Sequence, residues 1–198
     1  MPRPKIHDEQ LRQQLLEAAG RIVAAEGAAA LSLRRIAADV GTSTTAIYSL
    51  FGGKGELVRE VWLEGFRRLA ARVDAVPRTD NSLNDLAEAG QAYRQHALEN
   101  PAFYEIMFRG AIEGFEPSDA DRVEAQASLM SMTAAVSRCI DDGYVAGDPN
   151  KIAGALWAMS HGLVSLELHG YLGSPPEATE QFEFAMTLSA FGFVPRPA

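Results

Sequence analysis

A chain of 198 residues with 47% hydrophobic content can bury a core of its own, and it fits one large domain or one small domain attached to a medium one. Its formal net charge of -8 argues at first against a nucleic-acid partner, because lysine and arginine drive phosphate binding. No apolar run reaches the roughly 20 residues needed to span a bilayer, the start MPRPKIHDEQ has no signal-peptide core, and the single cysteine, Cys139, can make neither an internal disulfide nor a cysteine zinc site, so a cytoplasmic protein with no membrane partner is expected.

The distribution of charge softens the first exclusion. Residues 1–80 carry 12 basic and 10 acidic groups, whereas residues 81–198 carry 6 and 16. The acid lies towards the C-terminus, leaving Arg3, Lys5, Arg12, Arg34, Arg35 and Lys54 as groups that could meet a duplex.

In chain order, Arg3 and Lys5, flanked by Pro2 and Pro4, read equally as an extended arm for a DNA groove and as a basic tail without a role. A first helix is expected from about Asp8 to Glu26, with Leu11, Leu15, Ala18, Ala19, Ile22 and Val23 on one stripe and Gly27 ending it. The stretch from Leu31 to Gly53, LSLRRIAADVGTSTTAIYSLFGG, then spells two short helices around a glycine turn. Ser32 can cap the first, Leu33, Ile36, Ala37 and Val40 keep a helical apolar spacing, and Gly41 can take the left-handed exit. Thr42 or Ser43 caps the second, whose inward side is Ala46, Ile47 and Leu50. Ser43, Thr44, Thr45, Tyr48 and Ser49 are left facing outward, a row of hydroxyls suited to phosphates and base edges.

Residues 1–55, with the run from Ala46 to Lys54 as the most specific part, resemble the DNA-binding domain of the TetR family of bacterial transcriptional regulators. The resemblance implies an all-helical, homodimeric protein whose usual activity is repression of a palindromic operator, relieved by a small ligand in the C-terminal domain. It also implies DNA contact for Arg34, Thr42, Ser43, Thr44, Thr45, Tyr48, Ser49 and Lys54. Where the family often has a large residue at Ser49 or Leu50, this chain has small and apolar ones.

Beyond Gly53 a fourth helix is expected through Leu57, Val58, Val61, Trp62, Phe66, Leu69 and Val73 to Val76-Pro77, joining a reader of residues 1–55 to a domain of residues 56–198. Ser82 with Asp85 resembles a capping box for a helix through Leu86, Ala89, Tyr93 and Leu98. Asn100-Pro101 opens a short helix, AFYEIMFRG, and a loop runs from about Gly110 to Pro117. Ser118 with Asp121 caps one longer segment through Val123, Leu129, Met132, Val136 and Ile140. Asp148-Pro149 begins a helix that is apolar nearly all round, and Pro175-Pro176 opens the last, with Phe182, Phe184, Met186, Leu188 and Phe191. The fold class is therefore all-α, about nine helices, with an N-terminal helix-turn-helix domain and a helical C-terminal domain for effector binding and dimerisation. The last two helices would supply core and subunit contact. WAMSHGLVSLEL, from Trp157 to Leu168, resembles the Trp-x-x-x-His-Gly signature of one C-terminal TetR subclass.

Tyr93, His96, Phe103, Tyr104, Met107, Phe108, Met130 and Trp157 offer aromatic and flexible apolar surface with a few polar handles, a mixture suited to a small, mostly apolar ligand, although each also reads as plain core. His161 and His169, about 12 Å apart along one helix, cannot share a metal. With no His-Glu-x-x-His, phosphate loop or Gly-x-Ser-x-Gly, neither metal, cofactor nor catalysis is expected. The rival reading is a helix-turn-helix scaffold reused as a protein-interaction module or an enzyme.

Overall fold

The computed structural model describes residues 5–108, 112 and 114–192. Arg3 and its flanking prolines, with Gly110 of the expected loop, lie outside the described residues. Ten α-helices account for most of the described chain: α1 Lys5–Glu26, α2 Leu33–Val40, α3 Thr44–Phe51, α4 Lys54–Asp74, α5 Ser82–Glu99, α6 Pro101–Phe108, α7 Asp119–Ala125, α8 Ala127–Asp141, α9 Pro149–Leu168 and α10 Pro175–Gly192. A 3-10 turn, Ala28–Ala30, joins α1 to α2. Among the described residues the only β pairing is an isolated bridge between Ile112 and Phe115.

Two compact units divide the chain, one of residues 1–66 with 100–125, the other of residues 67–99 with 126–198. In the first, α1 packs on α2, α3 and α6. Its stripe is the expected one: Leu11, Leu15, Ala18, Ala19, Ile22 and Val23 are all buried, and Leu16 joins them. Gly20 gives α6 room, because a Cβ there would stand 3.2 Å from the Phe103 ring. In the second unit, α8 and α10 pack on α9, and α5 packs on α8 and α9.

The expected box at Ser118 and Asp121 forms. The Asp121 N–H donates to Ser118 Oγ at 3.2 Å and the Ser118 N–H returns to Asp121 Oδ2 at 2.9 Å. The segment that follows is two helices rather than one, broken at Gln126. Met132, Val136 and Cys139 are buried while Val123, nine residues and so about two and a half turns before Met132, faces the other way and is 68% exposed.

The box expected at Ser82 and Asp85 does not form. Asn81 caps α5 instead, its Oδ1 accepting the Asn84 N–H at 3.0 Å. Starting the helix one residue earlier turns Ser82 inward, where its Oγ is buried without a hydrogen-bond partner and its carbonyl accepts from the Cys139 thiol at 3.1 Å. Asp85 is thereby released to accept from the Thr79 N–H at 2.8 Å, the Thr79 hydroxyl at 2.7 Å and Arg138 at 2.9 Å. These bonds hold its carboxyl below the usual carboxylate range. Farther along α5, Leu98, expected on the inner stripe, is exposed, and Ala97 takes the buried place.

Asp148 caps α9, accepting from the Asn150 and Lys151 N–H groups at 2.9 and 3.3 Å. Ile152, Ala153, Leu156, Ser160 and Val164 form its buried side, leaving Met159 and Leu166 exposed. On α10, Phe182 is buried while Phe184 and Leu188 are 68% and 60% exposed.

Candidate nucleic-acid interface

Each helix of the α2–α3 pair is started by a serine and stopped by a glycine. Ser32 and Ser43 are extended N-caps whose hydroxyl oxygens accept from the Arg35 N–H at 3.5 Å and the Ala46 N–H at 3.2 Å. Of the two candidates for the second cap, Ser43 takes the role. Thr42 sits in the turn, its N–H donating to the Ala37 carbonyl at 2.8 Å. That bond needs Gly41 in the left-handed region, at φ 74° and ψ 36°, a conformation that costs side-chain-bearing residues about 1 kcal/mol or more. Gly52, at φ 81°, ends α3 in the same way.

Ile36, Ala37, Ile47 and Phe51 are buried beneath this turn. Ala46 and Leu50, expected inward, are half-buried, and Phe51 provides the deeper anchor. Ser43, Thr45, Tyr48 and Ser49 are exposed on α3, Tyr48 by 57%; Thr42 and Thr44 are half-buried. The Tyr48 ring lies over Gly53, where a Cβ would stand 3.9 Å from its Cε1.

The cations divide into two groups. Arg34 is exposed in the first turn of α2, and exposed Lys54 opens α4 with its Nζ donating to the Ala29 carbonyl at 3.1 Å. Arg12 is turned inward, paired with Glu60 and lying over the Phe51 ring at 5.5 Å, so it braces α1 against α3 and α4. Arg59 donates to Asp121 from Nε at 2.8 Å. With Ser118, it draws the buried Asp121 carboxyl down to about 2.

The eight effector candidates fall four and four in the two units. In the first, Phe103, Tyr104 and Met107 are buried and Phe108 is half-buried. Tyr104 and Phe108 rings are 4.9 Å apart, Phe66 and Phe108 5.8 Å, and Trp62 and Phe66 4.8 Å, forming one aromatic cluster. In the second, the Tyr93 hydroxyl is 3.4 Å from Nδ1 of half-buried His161, whose ring is 6.3 Å from that of Trp157. Burial lowers the pKa of His161. His161 was not among the expected ligand residues; its i,i+4 spacing from Trp157 was the signal for it. His96 is buried, and desolvation together with Arg68 and Arg72 pushes its pKa down to about 4. Met130 is 69% exposed on α8.

In the second unit, a cavity of about 40 Å³ touches Val76, Asp85, Ala89 and Arg138, room for roughly one water molecule. An open groove of about 660 Å³ lies along Leu172, Glu177, Gln181, Phe184 and Thr187. None of the eight candidates lines either space. Among the described residues, no group of three or more His, Cys, Asp or Glu could hold a metal ion, and no helix is long and apolar enough to cross a membrane.

Residues 15–61 match the model for bacterial regulatory proteins of the TetR family, and residues 86–188, more than half of the chain, match the model for the tetracyclin repressor-like C-terminal domain. The chain belongs to the TetR family. One relative is the HTH-type transcriptional regulator Rv1816 of Mycobacterium tuberculosis, 27% identical over 143 residues, which are 71% of this chain and 60% of that protein. The TetR chain therefore spans about three fifths of that relative's length. The HTH-type transcriptional repressor DrrR1 of Streptomyces coeruleorubidus is 37% identical over 93 residues, 46% of this chain and 30% of the other. Among solved structures, a protein with unknown function from Rhodococcus sp. RHA1 is 25% identical, with a TM-score of 0.78 over 93% of this chain and 96% of that one. The TetR N-terminal match covers the Gly41 turn, all of α3 and Lys54.

Proposed function

We propose that this chain is a DNA-binding transcriptional regulator, a homodimeric repressor of a palindromic operator that is released by a small, mostly apolar ligand. The observation that carries the reading is the exposed face of α3, with Ser43, Thr45, Tyr48 and Ser49 held between two left-handed glycines and exposed Arg34 and Lys54 on the flanking helices. A rigid short helix bearing hydroxyls, with cations at its borders, suits major-groove edges and phosphates. Half-buried Thr42 in the turn and half-buried Thr44 at the start of α3 belong to the same proposed contact set.

Dimerisation is supported by the outer faces of α9 and α10. Met159, Leu166, Phe184 and Leu188 are large apolar side chains left exposed on two successive helices. A two-fold pair would cover them and present two copies of α3 to two half-sites.

In this reading residues 1–55 read DNA, residues 56–198 bind ligand and dimerise, and the helix from Lys54 carries the coupling. Within the proposed ligand set, Tyr93 and Trp157, now with His161, supply one polar and aromatic group in the second unit. Trp157, His161 and Gly162 also support the Trp-x-x-x-His-Gly subclass. The protein acts in the cytoplasm without metal, cofactor or catalysis.

Footprinting on the DNA flanking its own coding region tests the central claim, because regulators of this kind are commonly encoded beside their targets. A protected palindrome is the expected result; failure to bind any duplex at low salt overturns it.

A further inference from the structure

Arg34 and Arg35 are neighbours in the first turn of α2, and both are exposed. The Arg35 guanidinium is already gripped: Nη1 and Nη2 donate to Oε2 and Oε1 of Glu26 at 3.0 and 2.9 Å. Glu26 is the last residue of α1, so the pair closes over the loop that leads into α2. Lys54 Nζ is seated on the Ala29 carbonyl of that same loop. Asp39 is the other acid that acts on Arg35. Hydrogen bonding to Arg35 keeps the Glu26 carboxyl below its ordinary range, so the pair is fully ionised at neutral pH.

We propose that Glu26 is a built-in competitor for DNA phosphate at the Arg35 fork. In the free protein the carboxylate occupies the two guanidinium N–H positions that a phosphodiester's paired oxygens fit equally well. The side chains of both partners are close to half exposed, 47% and 44%, so the pair is held weakly enough to open. Any duplex that brings a phosphate to Arg35 must first displace Glu26, so the contact at this fork is weakened by the cost of opening the pair. Glu26 thus damps duplex binding through Arg35.

This inference rests on the DNA-binding reading, and the experiment separates the two. Full-length wild type, Glu26→Gln, Arg35→Gln and the double variant are titrated with a random-sequence duplex between about 50 and 200 mM salt. Each phosphate contact is worth roughly a 3.5-fold loss of affinity over that range. Arg35→Gln is expected to remove one such factor, Glu26→Gln to tighten binding several-fold, and the double variant to bind like Arg35→Gln alone. Equal tightening by Glu26→Gln in both backgrounds would show general repulsion and overturn the competition, as would an unchanged salt slope in Arg35→Gln. If the wild type shows no salt-dependent binding to any duplex, the DNA-binding reading itself fails.

Discussion

The Arg94 guanidinium of α5 grips the Glu167 carboxylate of α9 through two hydrogen bonds, 2.7 Å from Nε and 2.6 Å from Nη2, and donates a third to Thr179 of α10 at 2.9 Å. Both side chains are about nine-tenths buried, and the guanidinium lies over the Phe182 ring at 5.7 Å. One cation therefore joins three helices of the second unit. Removing one partner strands the other charge where little water can reach it. Glu167→Leu and Arg94→Leu are each expected to destabilise by about 3–5 kcal/mol, with much of the loss recovered in the double variant. Urea denaturation of the three proteins checks this; single variants within about 1 kcal/mol of wild type would refute it.

His96 sets an acid limit on stability. Its folded pKa is lowered from 6.5 to about 4 by burial first, then by Arg68 and Arg72, with Glu99 opposing. Between these values the unfolded chain binds the proton and the folded one does not, so stability is complete above pH 6.5 and falls as pH drops towards 4. The loss approaches roughly 3 kcal/mol at the bottom of this window. Denaturation midpoints at several pH values should show a shallower decline for His96→Leu than for wild type.

Gly65 on α4 is a packing requirement. A Cβ there would stand 2.5 Å from Met107 Cγ, 2.7 Å from its Sδ and 3.4 Å from the Phe103 carbonyl oxygen. Gly65→Ala is expected to destabilise by about 1–3 kcal/mol, although alanine favours helix. Adding Met107→Ala should recover part of the loss, and thermal melts of single and double variants measure it.

For DNA, Lys54→Ala should reduce the salt slope of binding by about one while leaving the melting temperature nearly unchanged, because the exposed bond to Ala29 contributes little. Thr45→Ala should instead change preference among operator sequences, by about 1–3 kcal/mol at the base pair it reads. Gel shifts at several salt concentrations on two operator variants separate the behaviours.

For assembly, Leu166→Glu places a charge on the exposed face of α9. The expected product is a folded monomer by light scattering, with helical content retained. A dimer of wild-type affinity would remove Leu166 from the proposed interface.

Much of the N-terminal unit was legible because its signals are local. Ser32, Gly41, Ser43 and Gly52 act through backbone bonds within a few residues of themselves, so sequence spacing is enough to locate them. The buried stripe of α1 was likewise readable, as a helix with one apolar face can bury only that face. Local signals fail where two nearby groups compete for the same role. Asn81 and Ser82 can each cap α5, and the choice of Asn81 follows from Asp85 binding Thr79 and Arg138, the latter 53 residues away.

The sequence by itself determined the helical class, the α2–turn–α3 pair and most of the order of helices, since periodicity, caps and left-handed glycines are properties of neighbouring residues. Only the tertiary structure decided that α6 and α7 pack in the same unit as α1, that Arg12 is turned onto Glu60 and Phe51, and that Val123 and Met130 face outward. It also decided which carboxylate each guanidinium holds: Glu26 for Arg35, Asp121 for Arg59 and Glu167 for Arg94. Charge pairing and burial depend on which surfaces meet in space, and a chain with many acids and arginines offers several pairings of similar energy until packing selects one.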